Sequence, residues 1–379
     1  MINKPKILIL IDWFTPAFKA GGPIKSVSNI VNSLHQDFDF YIITSDRDID
    51  DKIPYESELL NQWVTKSSFT IAYLTHEKKN LFISEALQEI VFSKIYFNSL
   101  YSNQFTLQPL RIIKKLNIDS QVIIAPRGML GKGALKIKPL KKKAFLTLTK
   151  TIGFFKKVVW QATDTEEAID IKTIFGASTS IITTPNISIL NIEKKEITKV
   201  KDELKLVFFS RICNKKNLFY ALEILNQVNG KNVSLDVYGT LEDKVYWNKC
   251  KKYIQENNLN VSYLGELNPK NVISTLSSYH FFFLPTLHEN YGHVIVEALT
   301  AGCGLIISTN TPWRELNRIN VGWDLDLTKP KEFIRVIKNY YGISQEEFNT
   351  IRNNSYEFIK TEIEKQNAVQ LTKNMFLQL

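Results

Sequence analysis

The chain has 379 residues, too many for one ordinary domain, and its 44% hydrophobic and 12% aromatic content can fill full cores, which excludes wholesale disorder. Lysine and arginine outnumber aspartate and glutamate by 48 to 38, a formal charge of +10 that favours anionic partners: nucleotides, phosphates, membrane surfaces or nucleic acid. The three cysteines, Cys213, Cys250 and Cys303, share no metal-ligand spacing, so neither a disulfide framework nor a zinc site is expected, and the expected compartment is a reducing cytosol.

The opening MINKPKILILIDWF carries a short apolar run closed by Asp12, unlike a secretory signal, and no later stretch approaches eighteen uncharged apolar residues, so any membrane contact is expected to be peripheral. Strands are predicted over 6–12, 38–44, 69–74, 94–98 and 120–126. Their apolar runs hardly alternate, as in strands covered on both faces. Helical patterns lie between most of them, for example over 26–34 and 108–115. A polar, charged stretch over 187–203, ISILNIEKKEITKVKDE, precedes a second block with strands at 204–210, 233–239, 261–265, 280–285 and 304–308. This alternation predicts an α/β protein of two doubly wound parallel-sheet domains, with no fixed-period repeat.

Open parallel sheets bind ligands at the carboxyl ends of their strands, where helix N-termini point at them. After the first strand stand Gly21 and Gly22, followed by Pro23 and a helix; adjacent glycines let backbone approach a phosphate, although a flexible loop reads the same way. Neither a G-x-G-x-x-G fingerprint nor a P-loop is present, which argues against a dinucleotide dehydrogenase or a P-loop NTPase. Arg127 and Gly128 follow the strand ending near Pro126, and Arg211, Lys215 and Lys216 follow the strand ending at 210. Arginine and lysine at a strand end can clamp a diphosphate, one through two oxygens and the other as a point charge; a solvated basic loop is the alternative. In PTLHENYGHVIVEAL, Glu289 would lie just before a helix over 292–299 and Glu297 inside it, with the backbone N–H groups of Asn290, Tyr291 and Gly292 at the positive helix end. Two carboxylates so placed can each grip a pair of sugar hydroxyls, or serve only as a cap and a solvated side chain.

Glu289 and Glu297, with ENYGHVIVEAL around them, resemble the E-x(7)-E signature of the large family of retaining GT-B-fold glycosyltransferases that use nucleotide-sugar donors. SRICNKKNL is similar to that family's G-R-L-x-x-x-K-G element, AGCGLIIS to its A-x-G-x-P-V-I element and GGPIKSV to its N-terminal glycine loop, while APRGML and NTPWREL resemble a branch that builds bacterial surface polysaccharides. The resemblance is strong over about 204–325 and otherwise a matter of layout. It implies two Rossmann-like domains facing each other across a cleft, at 1–195 and 196–355, the first binding acceptor and the second the nucleotide sugar, with a C-terminal helix over 356–379 returning to the first.

Residue by residue, the resemblance implies that Glu297 holds the ribose hydroxyls and Glu289 those of the donor sugar. Arg211 and Lys216 would stabilise the departing diphosphate, Gly21 and Gly22 would close over the phosphates, and the amides of Asn290 to Gly292 would contact the sugar. Four departures from the pattern are Ser210 and Asn217 for glycines, Leu305 for a proline, and Arg127 where many relatives carry a histidine. Arg127 stays protonated and so cannot be a general base; a phosphate of donor or acceptor is its expected ligand.

The expected reaction is retaining transfer of a hexose from a nucleoside diphosphate sugar to a saccharide, polyprenyl-diphosphate-linked, in surface polysaccharide synthesis. It is expected to need no metal or other cofactor. No carboxylate is evidently placed as nucleophile, which favours same-face attack with the leaving diphosphate taking the proton over a covalent intermediate. Residues 46–48, 48–50 and 324–326 spell D-x-D, a metal-nucleotide motif of another fold that arises easily by chance. The acid-free segment 127–160 interleaves Lys132, Lys136, Lys138, Lys141, Lys142, Lys143, Lys150, Lys156 and Lys157 with apolar residues, which suits either an anionic lipid surface or a packed helix with a solvated lysine face. A nucleotide-sugar epimerase of the same fold, and a basic nucleic-acid-binding module, are the alternatives; no RNA- or DNA-binding motif is present, so nucleic acid is not an expected partner.

Overall fold

The computed structural model describes residues 4–135, 138–190, 195–228 and 232–377. It divides into two compact units, Met1–Ile187 with Gln366–Leu379, and Ser188–Lys365. The junctions thus fall at 187/188 and 365/366, against the expected 195/196 and 355/356. Side-chain packing accounts for both positions: Ile187 belongs to the core of the first unit, whereas Ile351 and Ile359 belong to that of the second.

In the first unit the strands are β1 (Lys6–Leu10), β2 (Asp39–Ser45), β3 (Val64–Thr65), β4 (Thr70–Leu74), β5 (Lys94–Phe97), β6 (Gln121–Ile124), β7 (Val158–Ala162) and β8 (Ile181–Thr183). They form one sheet in the order β3-β4-β2-β1-β5-β6-β7-β8, parallel except for β3. Its helices are α1 (Gly22–Leu34), α2 (Lys79–Glu89), α3 (Gln108–Lys115), α4 (Lys132–Leu135), α5 (Pro139–Thr151) and α6 (Thr165–Phe175). Ile7 and Ile9 enter one apolar layer and Leu8 and Leu10 the other, so both faces of β1 are covered and its sequence does not alternate.

The second unit holds β9 (Leu204–Phe209), β10 (Val233–Tyr238), β11 (Val261–Tyr263), β12 (Phe281–Leu284), β13 (Gly304–Ser308) and β14 (Gly322–Leu325) in an all-parallel sheet ordered β11-β10-β9-β12-β13-β14. With it go α7 (Leu218–Asn226), α8 (Lys244–Glu256), α9 (Val272–Leu276), α10 (His293–Thr300) and α11 (Pro330–Tyr341). The long α12 (Gln345–Gln366) ends at Asn367, whose φ of 46° breaks the helix, and α13 (Ala368–Leu377) belongs to the first unit. There Phe376 packs edge-on to Phe38 at 5.5 Å and to Tyr96 at 5.8 Å, and Lys373 pairs with Asp37 at 2.5 Å.

Strand order reverses between β1 and β5 in one sheet and between β9 and β12 in the other. A parallel sheet opens a crevice beyond its carboxyl edge at such a point, and both crevices receive the residues singled out above.

One expectation is corrected. The segment 127–160 is not one amphipathic surface, because Phe154, Phe155 and Trp160 are buried and Val158–Ala162 is an interior strand, which leaves α5, with Lys156 and Lys157 beyond it, as its main exposed part. Lys136 lies outside the described residues. Among the described residues no helix is long and apolar enough to cross a membrane, and all three cysteines are buried and free.

Candidate active site

In the second unit the turn after β9 carries Arg211, Lys215 and Lys216, and the loop after β12 carries Glu289. The switch point makes these two loops neighbours, and backbone bonds fasten them: Leu287 N donates to Lys215 O at 2.9 Å, and Thr286 Oγ1 donates to the same carbonyl at 3.1 Å. Asn217 stands in the left-handed region with φ 61°, where asparagine is tolerated, and donates to Pro285 O at 2.9 Å. It therefore does the turning of the glycine it replaces and adds a brace.

Lys216 Nζ donates to Glu289 Oε2, with only 9% and 15% of the two side chains exposed. Burial pushes the Glu289 carboxyl up, but the attractions of Lys216, Lys215 and Arg211 outweigh it and hold the pKa below its ordinary value of 4.5. Burial, followed by repulsion from Lys216, lowers the pKa of Lys215. Arg211 pairs with Glu242 at 2.5 Å in a half-exposed bridge; Glu242 carries no strand-end signal and was not anticipated. Three cations thus meet two carboxylates, Glu289 and Glu242, an excess of one positive charge at a strand-end crevice.

Gly292 caps α10 with φ 81°, and a Cβ there would meet Glu289 Cγ at 3.1 Å and Ile295 Cδ1 at 2.9 Å. The glycine is what lets the Glu289 side chain lie against the head of the helix. Tyr291 is buried, its hydroxyl 2.8 Å from Ser188 Oγ and its carbonyl accepting from Trp313 Nε1 at 2.8 Å, so its side chain is a support rather than a ligand-facing group. Asn290 precedes this cap in the same loop, and Glu297 is half-buried in the second turn of α10. Leu305, found where a proline was expected, uses its N–H to reach Val321 O at 2.9 Å within the sheet.

Gly21, Gly22 and Arg127 belong to the first unit and are described there. Gly21 caps α1, with open space around the position a Cβ would take. Arg127 donates to three uncharged oxygens: Asn98 Oδ1 at 2.9 Å, Tyr96 Oη at 2.5 Å and Asn186 Oδ1. Buried Asn98 also donates to Pro23 O at 3.1 Å, so one side chain ties Arg127 to the glycine loop. Asn98, Asn186 and Tyr96 escaped the sequence analysis; the only signal was an asparagine directly after a strand.

Four of the five D-x-D acids have protein partners. Asp46 receives two bonds from Arg47 at 2.8 Å, Asp48 accepts from Phe18 N and Ile49 N, Asp324 accepts from Leu316 N, and Asp326 caps Thr328. No group of three metal-ligating side chains occurs among the described residues.

Two parallel-sheet α/β units, each with its residues of interest at a switch point, define a protein of the GT-B fold class. Residues 191–357 match the model of the family described as "Glycosyl transferases group 1". No curated protein matches the sequence. Among solved structures, the chain is similar to sucrose-phosphate synthase from Thermosynechococcus elongatus, at 14% identity with 100% of both chains covered and a TM-score of 0.71. It is also similar to Anabaena HepE in complex with UDP and glucose, at 14% identity over 99% of this chain and 100% of that one, with a TM-score of 0.70. A third is an S. aureus TarM mutant in complex with fondaparinux, alpha-GlcNAc-glycerol and UDP, at 12% identity over 98% and 99%, with a TM-score of 0.69. At these identities the likeness establishes the fold alone.

Proposed function

We propose that the protein is a retaining glycosyltransferase that moves a hexose from a nucleoside diphosphate sugar to a saccharide, without a metal ion. The nearly buried Lys216–Glu289 pair, set among Lys215 and Arg211 at the switch point of the family-matched unit, carries this reading. An ammonium has three N–H donors and a carboxylate two oxygens. The pair uses one of each, so Lys216 keeps donors for a diphosphate and Glu289 keeps Oε1 for a sugar hydroxyl. As the bond from sugar to diphosphate breaks, negative charge grows on the phosphate oxygens, where Lys216 and Arg211 stabilise it. The departing phosphate takes the acceptor's proton, and Glu297 holds the ribose. UDP-containing complexes of HepE and TarM make UDP-sugars the first donors to try.

Calorimetric titration with UDP-, GDP-, ADP- and TDP-sugars, with and without chelator, tests this. One of them should bind regardless of chelator, and Glu297→Ala should weaken that binding roughly ten- to hundredfold, about 1.5 to 3 kcal/mol for hydrogen bonds to a charged group. Unchanged affinity in the folded variant would remove Glu297 from the ribose.

The acceptor in this reading is lipid-linked and met at an anionic membrane surface, in the assembly of a bacterial surface polysaccharide. Support comes from the outward face of α5, where Leu140 and Leu148 are 83% and 61% exposed and Ile152 just beyond is 62% exposed. Leu140, Ala144 and Leu148 are spaced four apart and so share a face, flanked by exposed Lys141, Lys143 and Lys150. The protein should sediment with vesicles containing anionic lipid at low salt, and the double variant Leu140→Asp, Leu148→Asp should stay in the supernatant; equal sedimentation of both would sink the idea.

A further inference from the structure

The switch point of the first sheet holds a group of polar side chains that the proposed donor chemistry does not use. Asp12, two residues past β1, accepts a hydrogen bond from Ser102 Oγ at 2.6 Å, five residues past β5, so the bond spans the place where strand order reverses. Ser102 Oγ itself accepts from Phe105 N at 3.0 Å, which commits its own proton to Asp12. The Asp12 carbonyl accepts from Ser45 N at 3.1 Å and Thr44 Oγ1 at 3.3 Å, which fixes the backbone on the β2 side.

Lys79, the first residue of α2, is the unexplained member. It is only 1% exposed, its Nζ has no hydrogen-bond partner, and it lies 5.1 Å from the centre of the Phe105 ring. Burial lowers its pKa to about 8, opposed by the charge of Asp12. Burial likewise raises that of Asp12, against Ser102, the backbone and Lys79. A buried lysine without a hydrogen-bond partner is costly and adds nothing to packing that methionine could not, so a role outside folding is the economical account. Asp12 and Ser102 stay half-buried and reachable.

We propose that Asp12 and Ser102 form a binding site for the hydroxyls of a saccharide, with the Lys79 ammonium as the counter-charge that positions the Asp12 carboxylate. Ser102 occupies Oδ1, leaving Oδ2 for a sugar hydroxyl. Lys79 acts through Asp12 and is a positioning residue. The assignment rests on the glycosyl-transfer reading only for its choice of ligand class. The charged group acting on Asp12 is Lys79 of α2; the neighbours from β2 and from the turn after β5, namely Thr44, Ser45, Ser102 and Phe105, are neutral.

The full-length protein, Asp12→Asn, Ser102→Ala and Lys79→Met are applied to an array of immobilised oligosaccharides across a pH series, with calorimetry of UDP-sugars in parallel. Wild type should bind at least one glycan, and Asp12→Asn should weaken that binding roughly tenfold or more, as for a lost charged hydrogen bond. Lys79→Met should fold, because methionine fills a similar volume without a buried charge, and its glycan binding should fail at a higher pH on the acid side than wild type, since removing the cation favours protonated Asp12. Nucleotide-sugar binding should be the same in all four. Wild type that binds no glycan, or variants that bind glycans as wild type does with the same acid limb, overturns the site and leaves the donor reading intact; loss of UDP-sugar binding by wild type overturns the donor reading instead.

Discussion

Lys216→Met should lower turnover of the donor about a hundredfold or more while leaving a folded but weakened protein. Removing one preorganised group that stabilises a developing oxyanion costs about 2.7 to 4 kcal/mol of barrier. The same change strands Glu289 in a nearly buried place, and losing one partner of such a pair costs on the order of 3 kcal/mol of stability. The double variant Lys216→Met, Glu289→Gln separates the two effects: it contains no stranded charge, so its melting temperature should recover much of the loss, whereas its rate should not recover. Recovery of both would make the pair a structural device only. The pair also has a pH signature. Glu289 has its pKa held below 4.5, so its ionic contribution is fully present above that value and is lost as pH falls through the folded-state pKa. The melting-temperature gap between wild type and Glu289→Gln should therefore be constant near neutrality and close below about pH 4.5.

Gly239→Ala should be the most damaging single methyl group in the second unit. Gly239 follows β10 with φ 139°, and an added Cβ would stand 1.8 Å from the Ser210 carbonyl oxygen, at the start of the Arg211 turn. That oxygen belongs to backbone locked into the sheet, since Ser210 N bonds Tyr238 O at 3.1 Å and Ile212 N bonds Thr240 O at 2.8 Å. Neither chain can retreat without breaking the ladder, so a loss above about 4 kcal/mol is expected, in the range that signals a named structural fault. Gly265→Ala is the control: it also has positive φ, 82°, but nothing lies within 4 Å of the new Cβ, so only a backbone cost of about 1 to 2 kcal/mol applies. Urea midpoints of the two variants should differ by the steric term, and equal midpoints would refute the close approach.

Much of the second unit was legible because its signals are local. Glu289, the cap at Gly292 and Glu297 lie within nine consecutive residues, and a loop running into a helix fixes their relation through backbone geometry alone. The same holds for Arg211 to Lys216. Strands β3, β7, β8 and β14 were not anticipated: three are four residues or fewer, and β7 hides among lysines whose neighbours gave the whole stretch the look of a surface. Only the sheet contacts of Val158–Ala162 turn that stretch inward.

The sequence by itself determined the two α/β blocks, the basic strand ends and the spacing of the two glutamates, because each is a property of neighbouring residues obeying one local period. Strand order decided the rest. It put the Lys216 turn against the Glu289 loop across 73 positions, joined Ser102 to Asp12 across 90, and set Asn98 between Pro23 and Arg127. Those pairings depend on which strands lie side by side at a reversal of the sheet, and no local pattern of side chains encodes that choice.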